Sequence, residues 1–157
     1  DIAGIRISCS FTSDIYLIAD MISKQNDLTI LARRDYMKNP KKSGYRSYHM
    51  LVTTPVFLSD SIIDTKVEIQ IRTVAQDFWA TLEHKMHYKF EGDGPDYITK
   101  ELRECARYVA ELDQRMEELN NEIQKYGKIN KTPENRIKYC VLKKQGIYLS
   151  IPLIHFH

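Results

Sequence analysis

The sequence has few of the features that mark secreted, membrane or DNA-binding proteins. Its three cysteines are odd in number and lack CxxC or Cys/His spacing, which argues against a disulfide framework and a zinc site. No apolar run approaches the roughly 20 residues that cross a bilayer, and the start of the chain shows no signal-peptide pattern. A net charge of +2 is too small to indicate DNA binding. We therefore expect a cytoplasmic protein without membrane or DNA partners.

The composition suits a single folded domain. Of the 157 residues, 43% are hydrophobic and 28% are charged, which is enough for a real core. Asp1 begins directly in a strand-like run with no lead-in, so we expect the chain to be a fragment of a longer protein.

The stretch from Lys66 to His84 carries the clearest pattern. Apolar and polar residues alternate along its first half with the two-residue period of a strand. These residues are Val67, Glu68, Ile69, Gln70, Ile71 and Arg72. One face is predicted to be core, and the other to be either a solvated edge or a row of groups placed for ligand binding. Apolar residues then recur every four positions at Phe78, Leu82 and Met86, so the strand is predicted to pass directly into a helix.

Other stretches predict three further strands and a first helix. The strands are predicted at Ile2–Cys9, Leu28–Ala32 and Tyr48–Thr54, ahead of the one at Thr65–Arg72. Side chains at Thr12, Ser13 and Asp14 are candidate N-caps for a helix that ends near Asn26. The basic, turn-rich segment from Arg33 to Gly44 predicts an exposed loop, and Pro55 predicts the end of the third strand.

A long helix is predicted from about Ile98 to Tyr126. Its apolar residues keep a heptad spacing for three repeats. They are Leu102, Cys105, Val109, Leu112, Met116, Leu119 and Ile123. This narrow seam is compatible with packing inside the domain and with a contact between subunits, and it suggests a homo-oligomer built on helices. The composition changes from Asn130 onward, and residues 127–157 form a tail to which the sequence assigns no role.

Two carboxylates are candidates for a metal site. If the strands of Asp1 and Glu68 are neighbours, their hard oxygen atoms meet at one end of the sheet and would suit Mg²⁺ completed by phosphates and water. The alternative for Asp1 is a turn residue at the end of a strand. The alternative for Glu68 is a surface salt bridge.

The basic loop and the segment after it combine groups that bind phosphates and bases. The cations are Arg34, Lys38, Lys41, Lys42 and Arg46. In the segment GYRSYH, residues 44–49, aromatic rings suited to stacking on a base alternate with polar donors. His49 is by residue type more often a core or rim histidine than a catalytic one.

Three motifs together resemble the synthetase domain of RelA/SpoT-type alarmone synthetases, especially the single-domain small alarmone synthetases. They are DIAGIR at 1–6, GYRSYH at 44–49, and VEIQIRT with DFWATLEH between 67 and 84. The resemblance covers residues 1–126, which would be a synthetase domain lacking its N-terminal helical segment. It implies an α+β, nucleotidyltransferase-like fold with a mixed sheet of four to five strands flanked by helices. It also implies transfer of the diphosphate of ATP to the 3′-hydroxyl of GTP or GDP, giving AMP and (p)ppGpp.

The resemblance assigns a role to each candidate site residue. Asp1 and Glu68 match the carboxylates that bind Mg²⁺, and Glu68 also matches the residue proposed to take the proton of the acceptor hydroxyl. Arg6 matches the arginine that stacks on the adenine of ATP, and Tyr45 matches the tyrosine that stacks on guanine. The residues that match contacts to the acceptor phosphates, the ribose or the transferred group are Arg34, Lys41, His49 and Gln70, with Arg46 as a further phosphate contact.

Two other functions compete with an active GTP diphosphokinase. The family places a basic cluster ahead of its DIAGxR motif to hold the phosphates of ATP, whereas this sequence begins at Asp1. A catalytically silent guanine-nucleotide-binding module is therefore the main alternative. An RNA-binding protein would use the basic loop and Tyr45, but the sequence has no RNA-module signature. The resemblance further implies a tetramer formed through helical elements.

Overall fold

The computed structural model describes residues 3–89, 95–126, 141–144 and 147–149. Within those ranges it contains six strands and three helices. In chain order they are β1 Ala3–Cys9, α1 Thr12–Ser23, β2 Thr29–Asp35, β3 Tyr48–Phe57, β4 Ile62–Thr73, α2 Val74–Lys89, α3 Asp96–Tyr126, β5 Val141–Lys144 and β6 Ile147–Leu149.

All six strands form one mixed sheet in the order β2-β3-β4-β1-β5-β6. Strands β1 and β4 are parallel, and every other neighbouring pair is antiparallel. The predicted α+β class is confirmed, and the four predicted strands correspond to β1 to β4. Strands β5 and β6 come from the tail, where the sequence showed no clear period, and they bring the sheet to six strands instead of four to five.

The parallel pairing of β1 with β4 places two polar faces side by side. The register sets Gly4 beside Glu68 and Arg6 beside Gln70, so that these side chains share one face of the sheet. The opposite face is apolar and carries the core, in which Ile69 packs with residues of α1. One face of the sheet is thus available for ligands while the other stabilises the fold by burial.

Strands β2 and β3 extend further than their sequences predicted. Strand β2 continues to Asp35 because β3 pairs with it from Ala32 to Asp35 beyond an irregularity at Leu31, and Arg34 pairs with His49. The prediction that Arg33 and Arg34 lie in a loop was therefore wrong. Pro55 does not end β3 but lies within it, opposite Asp64. The ladder to β2 begins at the pair Thr29 and Thr53, so β3 is an edge strand beyond that point and tolerates a proline.

Helix α1 begins without the side-chain cap that its sequence suggested. Its N-cap residue is Phe11, which makes no side-chain cap hydrogen bond, and the helix ends at Ser23, short of Asn26. The backbone N–H of Ser13 donates instead to Oε2 of Glu117 in α3, at 3.1 Å. A carboxylate at this helix end is favourable because it accepts from a backbone N–H group of the first turn and lies at the positive end of the helix dipole.

Helix α2 follows β4 directly, and a capping box fixes the junction. The backbone N–H of Gln76 donates to Oγ1 of Thr73, and Oε1 of Gln76 accepts from the backbone N–H of Thr73, both at 3.1 Å. Asp113 of α3 binds both partners: its Oδ2 accepts from Thr73 Oγ1 at 2.6 Å and from Gln76 Nε2 at 3.0 Å. Burial raises the pKa of the Asp113 carboxyl, against the effect of these two hydrogen bonds.

The apolar stripes predicted on α2 and α3 are largely exposed. The stripe residues of α2, which are Phe78, Leu82 and Met86, face outward, whereas Trp79 and Ala80 pack against Ala106 of α3. In the second half of the α3 seam, four residues are each between 44% and 61% exposed: Leu112, Met116, Leu119 and Ile123. Both helices are confirmed, but the stripe of α2 and the second half of the α3 seam are exposed, whereas Val109 in the first half packs against the cluster of Trp79, Ala80 and Ala106. Among the described helices, none is long and apolar enough to cross a membrane.

Candidate active site

Five side chains form a closed ring of hydrogen bonds on the polar face of the sheet. The ring consists of Tyr45, His49, Glu68, Gln70 and Arg72. His49 Nδ1 lies 3.1 Å from Glu68 Oε1, and Gln70 Nε2 donates to Glu68 Oε2 at 3.1 Å. Arg72 Nη2 donates to Gln70 Oε1 at 2.6 Å and to the Tyr45 hydroxyl at 2.7 Å, and that hydroxyl lies 2.9 Å from His49 Nε2. The ring gives each of these groups a fixed orientation.

The protonation states of Glu68 and His49 follow from their surroundings. Burial acts to raise the pKa of the Glu68 carboxyl, but the hydrogen bonds from Gln70 and His49 and the charges of His49 and Arg34 hold it below its usual value. Burial lowers the pKa of His49 and outweighs the opposing influence of Glu68. At neutral pH Glu68 is therefore ionised and can only accept, so the neutral imidazole donates from Nδ1 to Glu68 and accepts at Nε2 from Tyr45.

A cluster of aromatic rings and cations adjoins this ring. Tyr36, Tyr45 and His49 meet edge to face, with ring centroids 5.1 to 6.2 Å apart. The Lys41 ammonium lies 5.0 Å from the centroids of both tyrosines, and the Arg72 guanidinium lies 4.9 Å from that of Tyr45. Such a group of rings and cations can stack on a base and bind its phosphates. Tyr36 was not predicted as a site residue, and its only sequence signal was an aromatic residue inside the basic segment.

Gly44 sets the position of Tyr45. Its φ is +92°, and a Cβ atom at this position would lie 2.5 Å from Cβ of Ala106. Only glycine satisfies both the backbone conformation and the close approach to α3. Tyr45 is thereby held between the sheet and the cluster of Trp79, Ala80 and Ala106, against which it packs.

A second group of charges joins β1, β4 and α2. Oδ1 of Asp77 lies 3.4 Å from Arg6 Nη1 and 3.5 Å from Arg72 Nη1. Arg6, in register with Gln70, is half-buried at the rim of the polar face. Arg72 was recognised in the sequence only as part of the polar face and Asp77 not at all, because their partnership depends on the packing of α2 beside β1.

Of the predicted site residues that the structure describes, all but Arg46 lie on or beside the polar face. Arg34 is close enough to lower the pKa of Glu68 by its charge, and Lys41 lies on Tyr45. Arg46 lies elsewhere: its Nη1 donates to the carbonyl of Met37 at 2.8 Å. It lines a cavity of about 830 Å³ between α1, α3 and the segment that joins β2 to β3. None of the five residues of the hydrogen-bonded ring lines that cavity.

The predicted carboxylate ligands, Asp1 and Glu68, would suit a magnesium ion whose other ligands are phosphate oxygens and water. Asp1 lies outside the described residues, although β1 and β4 are neighbours, as the prediction of a paired site required. The side chain of Glu68 is 43% exposed and ionised, so its carboxylate can bind a hard cation. Among the described residues there is no group of three or more His, Cys, Asp or Glu that could enclose a metal ion.

The chain is similar to proteins of one family. A family profile described as a region found in RelA / SpoT proteins matches residues 1–93. The GTP pyrophosphokinase YwaC of Bacillus subtilis is 46% identical over 123 residues, which are 78% of this chain and 59% of that protein. The GTP pyrophosphokinase YjbM of the same organism is 41% identical over 124 residues, 79% of this chain and 59% of that protein. The chain thus spans about three fifths of the length of these curated relatives.

Solved structures give the same result at the level of the fold. Small alarmone synthetase 1 from Bacillus subtilis, bound to its product pppGpp, has a TM-score of 0.76 and 41% identity, covering 79% of this chain and 64% of that one. Small alarmone synthetase 2 from the same organism has a TM-score of 0.76 and 47% identity, covering 78% of this chain and 66% of that one.

Proposed function

Because the chain belongs to the family of RelA and SpoT proteins, we propose that it is the synthetase part of a GTP diphosphokinase. It transfers the diphosphate of ATP to the 3′-hydroxyl of GTP or GDP and produces AMP and (p)ppGpp. The observation that carries this proposal is the ring of hydrogen bonds that fixes the ionised Glu68 carboxylate between His49 and Gln70, next to the aromatic ring of Tyr45.

In this reaction Glu68 accepts the proton of the acceptor hydroxyl as the new bond to phosphorus forms. Its lowered pKa keeps it ionised at neutral pH, and the two hydrogen bonds hold its oxygens in place. We assign Asp1 and Glu68 to a Mg²⁺ ion, which when bound neutralises charge on the migrating diphosphate. Fixing the two reactants and stabilising phosphate charge supply most of the catalysis in transfers of this type.

The bases are held by planar side chains and the phosphates by cations. Tyr45 stacks on the guanine of the acceptor, and Arg6 stacks on the adenine of ATP. The remaining contacts to the acceptor phosphates, the ribose and the transferred group come from Arg34, Lys41, His49 and Gln70. A phosphate contact by Arg46 requires its guanidinium to leave the carbonyl of Met37.

At the level of the whole chain, we propose that residues 1–126 are the synthetase domain and that residues 127–157 are a tail of unknown role. The exposed half of the α3 seam supports a homo-oligomer, with a tetramer as the expected form. A cytoplasmic location agrees with the cysteine usage.

The test is turnover of ATP and GTP in the presence of Mg²⁺, with the products separated by anion-exchange chromatography. The wild-type chain should yield alarmone and AMP. Glu68→Gln should yield neither, because it keeps the side-chain volume but removes the charge that accepts the proton. Asp64→Asn is the matched control, since it converts an exposed carboxylate on the same strand to an amide and should retain wild-type turnover.

A silent guanine-nucleotide-binding module is the second candidate. It is favoured because three residues, Tyr36, Lys41 and Tyr45, are grouped where guanine is proposed to bind. On the adenine side, a single one of the described residues, Arg6, is assigned to the base. Binding of GDP without any turnover would establish the module and contradict the diphosphokinase. Undiminished turnover in Glu68→Gln would contradict the assignment of the proton acceptor.

A further inference from the structure

Asp77 lies between Arg6, which is assigned to ATP, and Arg72, which contacts Tyr45 on the guanine side of the proposed site. It lies in the first turn of α2 and is 4% exposed. A single oxygen, Oδ1, lies within 3.5 Å of two guanidinium groups, those of Arg6 and Arg72. This carboxylate is thus buried between a residue of β1 and a residue of β4.

The two arginines belong to the proposed binding sites of different nucleotides. Arg6 is assigned to the adenine of ATP. Arg72 holds the guanine side, because its Nη2 donates to the Tyr45 hydroxyl at 2.7 Å and its guanidinium lies 4.9 Å from the centroid of the Tyr45 ring. The position of Asp77 therefore affects Arg6 directly and Tyr45 through Arg72. Asp77 itself is not assigned to either base.

The electrostatics explain why a carboxylate is needed between them. Burial lowers the pKa of Arg72, and the nearby charge of Arg6 lowers it further, while Tyr45 and Asp77 act in the opposite direction. Two guanidinium groups this close would repel each other without an anion between them. A buried cation also requires a partner.

We propose that Asp77 is a positioning residue that orients Arg6 and Arg72 together and so couples the ATP and guanine-nucleotide subsites. The roles of Arg6 and Tyr45 in this proposal rest on the proposed function. Asp77 takes no part in the chemical step.

The experiment compares Asp77→Asn with wild type by calorimetric titration of the full chain, once with a non-hydrolysable ATP analogue and once with GDP. Both dissociation constants should rise about tenfold, which corresponds to about 1.4 kcal/mol each. The matched control is Asp113→Asn, because Asp113 of α3 is also a buried carboxylate close to the start of α2 but is hydrogen-bonded to Thr73 and Gln76. A merely structural role would lower the thermal midpoints of both variants and leave both affinities unchanged.

The outcomes separate this inference from the proposed function. If wild type binds neither nucleotide, the proposed function is wrong and the inference falls with it. If wild type binds both and Asp77→Asn changes only one affinity or none, the inference alone is wrong. Should circular dichroism show that Asp77→Asn does not fold, Asp77→Glu replaces it. That variant keeps the charge and displaces the carboxylate by one methylene, and unchanged affinities there would equally overturn the inference.

Discussion

The ring and the hydroxyl of Tyr45 make different contacts, and we propose a different function for each. Its ring contacts Tyr36 and His49 and lies close to two cations, while its hydroxyl closes the hydrogen-bonded ring that ends on Glu68. Stacking on a base needs only the ring, whereas orientation of His49 toward Glu68 needs the hydroxyl. The two functions can therefore be separated by substitution.

We expect Tyr45→Ala to weaken binding of GDP by about 1 to 3 kcal/mol, the contribution of one stacked base, and to leave binding of an ATP analogue nearly unchanged. Tyr45→Phe is the matched control, because it keeps the ring and removes the hydroxyl. It should bind GDP almost as wild type does but turn over more slowly, since His49 loses a hydrogen-bond donor at Nε2. Calorimetry with each nucleotide measures the first effect. Equal losses for both nucleotides in Tyr45→Ala would contradict the assignment of guanine to Tyr45.

At this scale the sequence predicts the local features of the site and not its long-range contacts. The alternation along β4 was enough to place Glu68 and Gln70 on one polar face. The partnership of His49 with Glu68 depends on the register of β3 against β4, and that of Asp77 with Arg6 depends on where α2 packs. Neither is encoded in a short pattern, so Arg72, Asp77 and Tyr36 gained their roles only from the structure.

At the scale of elements, helix α3 makes polar contacts with α1 and with the junction between β4 and α2. Asp113 binds the capping box at the start of α2, and Glu117, one turn further on, accepts from the first turn of α1. The capping box is a local signal, TVAQ at 73–76, and was open to prediction. The contact of Glu117 was not, because it joins residues more than one hundred positions apart.

We predict that Glu117→Gln destabilises the chain by about 0.5 to 1 kcal/mol, because it removes a charge that caps α1 and opposes its dipole. Urea denaturation followed by circular dichroism should show a lower midpoint with an unchanged slope. Glu118→Gln serves as the control, since Glu118 lies on the same helix turn and accepts from the exposed Gln114 of its own helix. A midpoint shift of the same size in both variants would mean that the contact with Ser13 contributes nothing.

The periodicity of α2 and α3 predicts the helices correctly but not which of their faces is buried. In α3 the face toward the domain carries Ala106 and Asp113, a small residue and a polar one. These allow a close approach to Gly44 and to the capping box, whereas larger apolar side chains would not fit there. The second half of the apolar seam consequently lies on another side of the helix, where it is exposed, while Val109 in the first half packs toward the domain.

At the scale of the whole molecule, the exposed half of the seam is a candidate contact between subunits of the proposed oligomer. Four large apolar side chains in succession on one helix are an unusual surface for a monomer, and a two-fold axis would let the same seam pack on its copy.

We predict that Leu112→Glu combined with Met116→Glu converts an oligomer into a folded monomer, because burial of unpaired carboxylates costs more free energy than association provides. Gln114→Glu combined with Asn121→Glu adds the same charge on the opposite side of α3 and should leave the assembly intact. Light scattering gives the mass and circular dichroism the folded state. A monomeric wild type, or a seam variant that unfolds before it dissociates, would show that the seam is not a subunit contact.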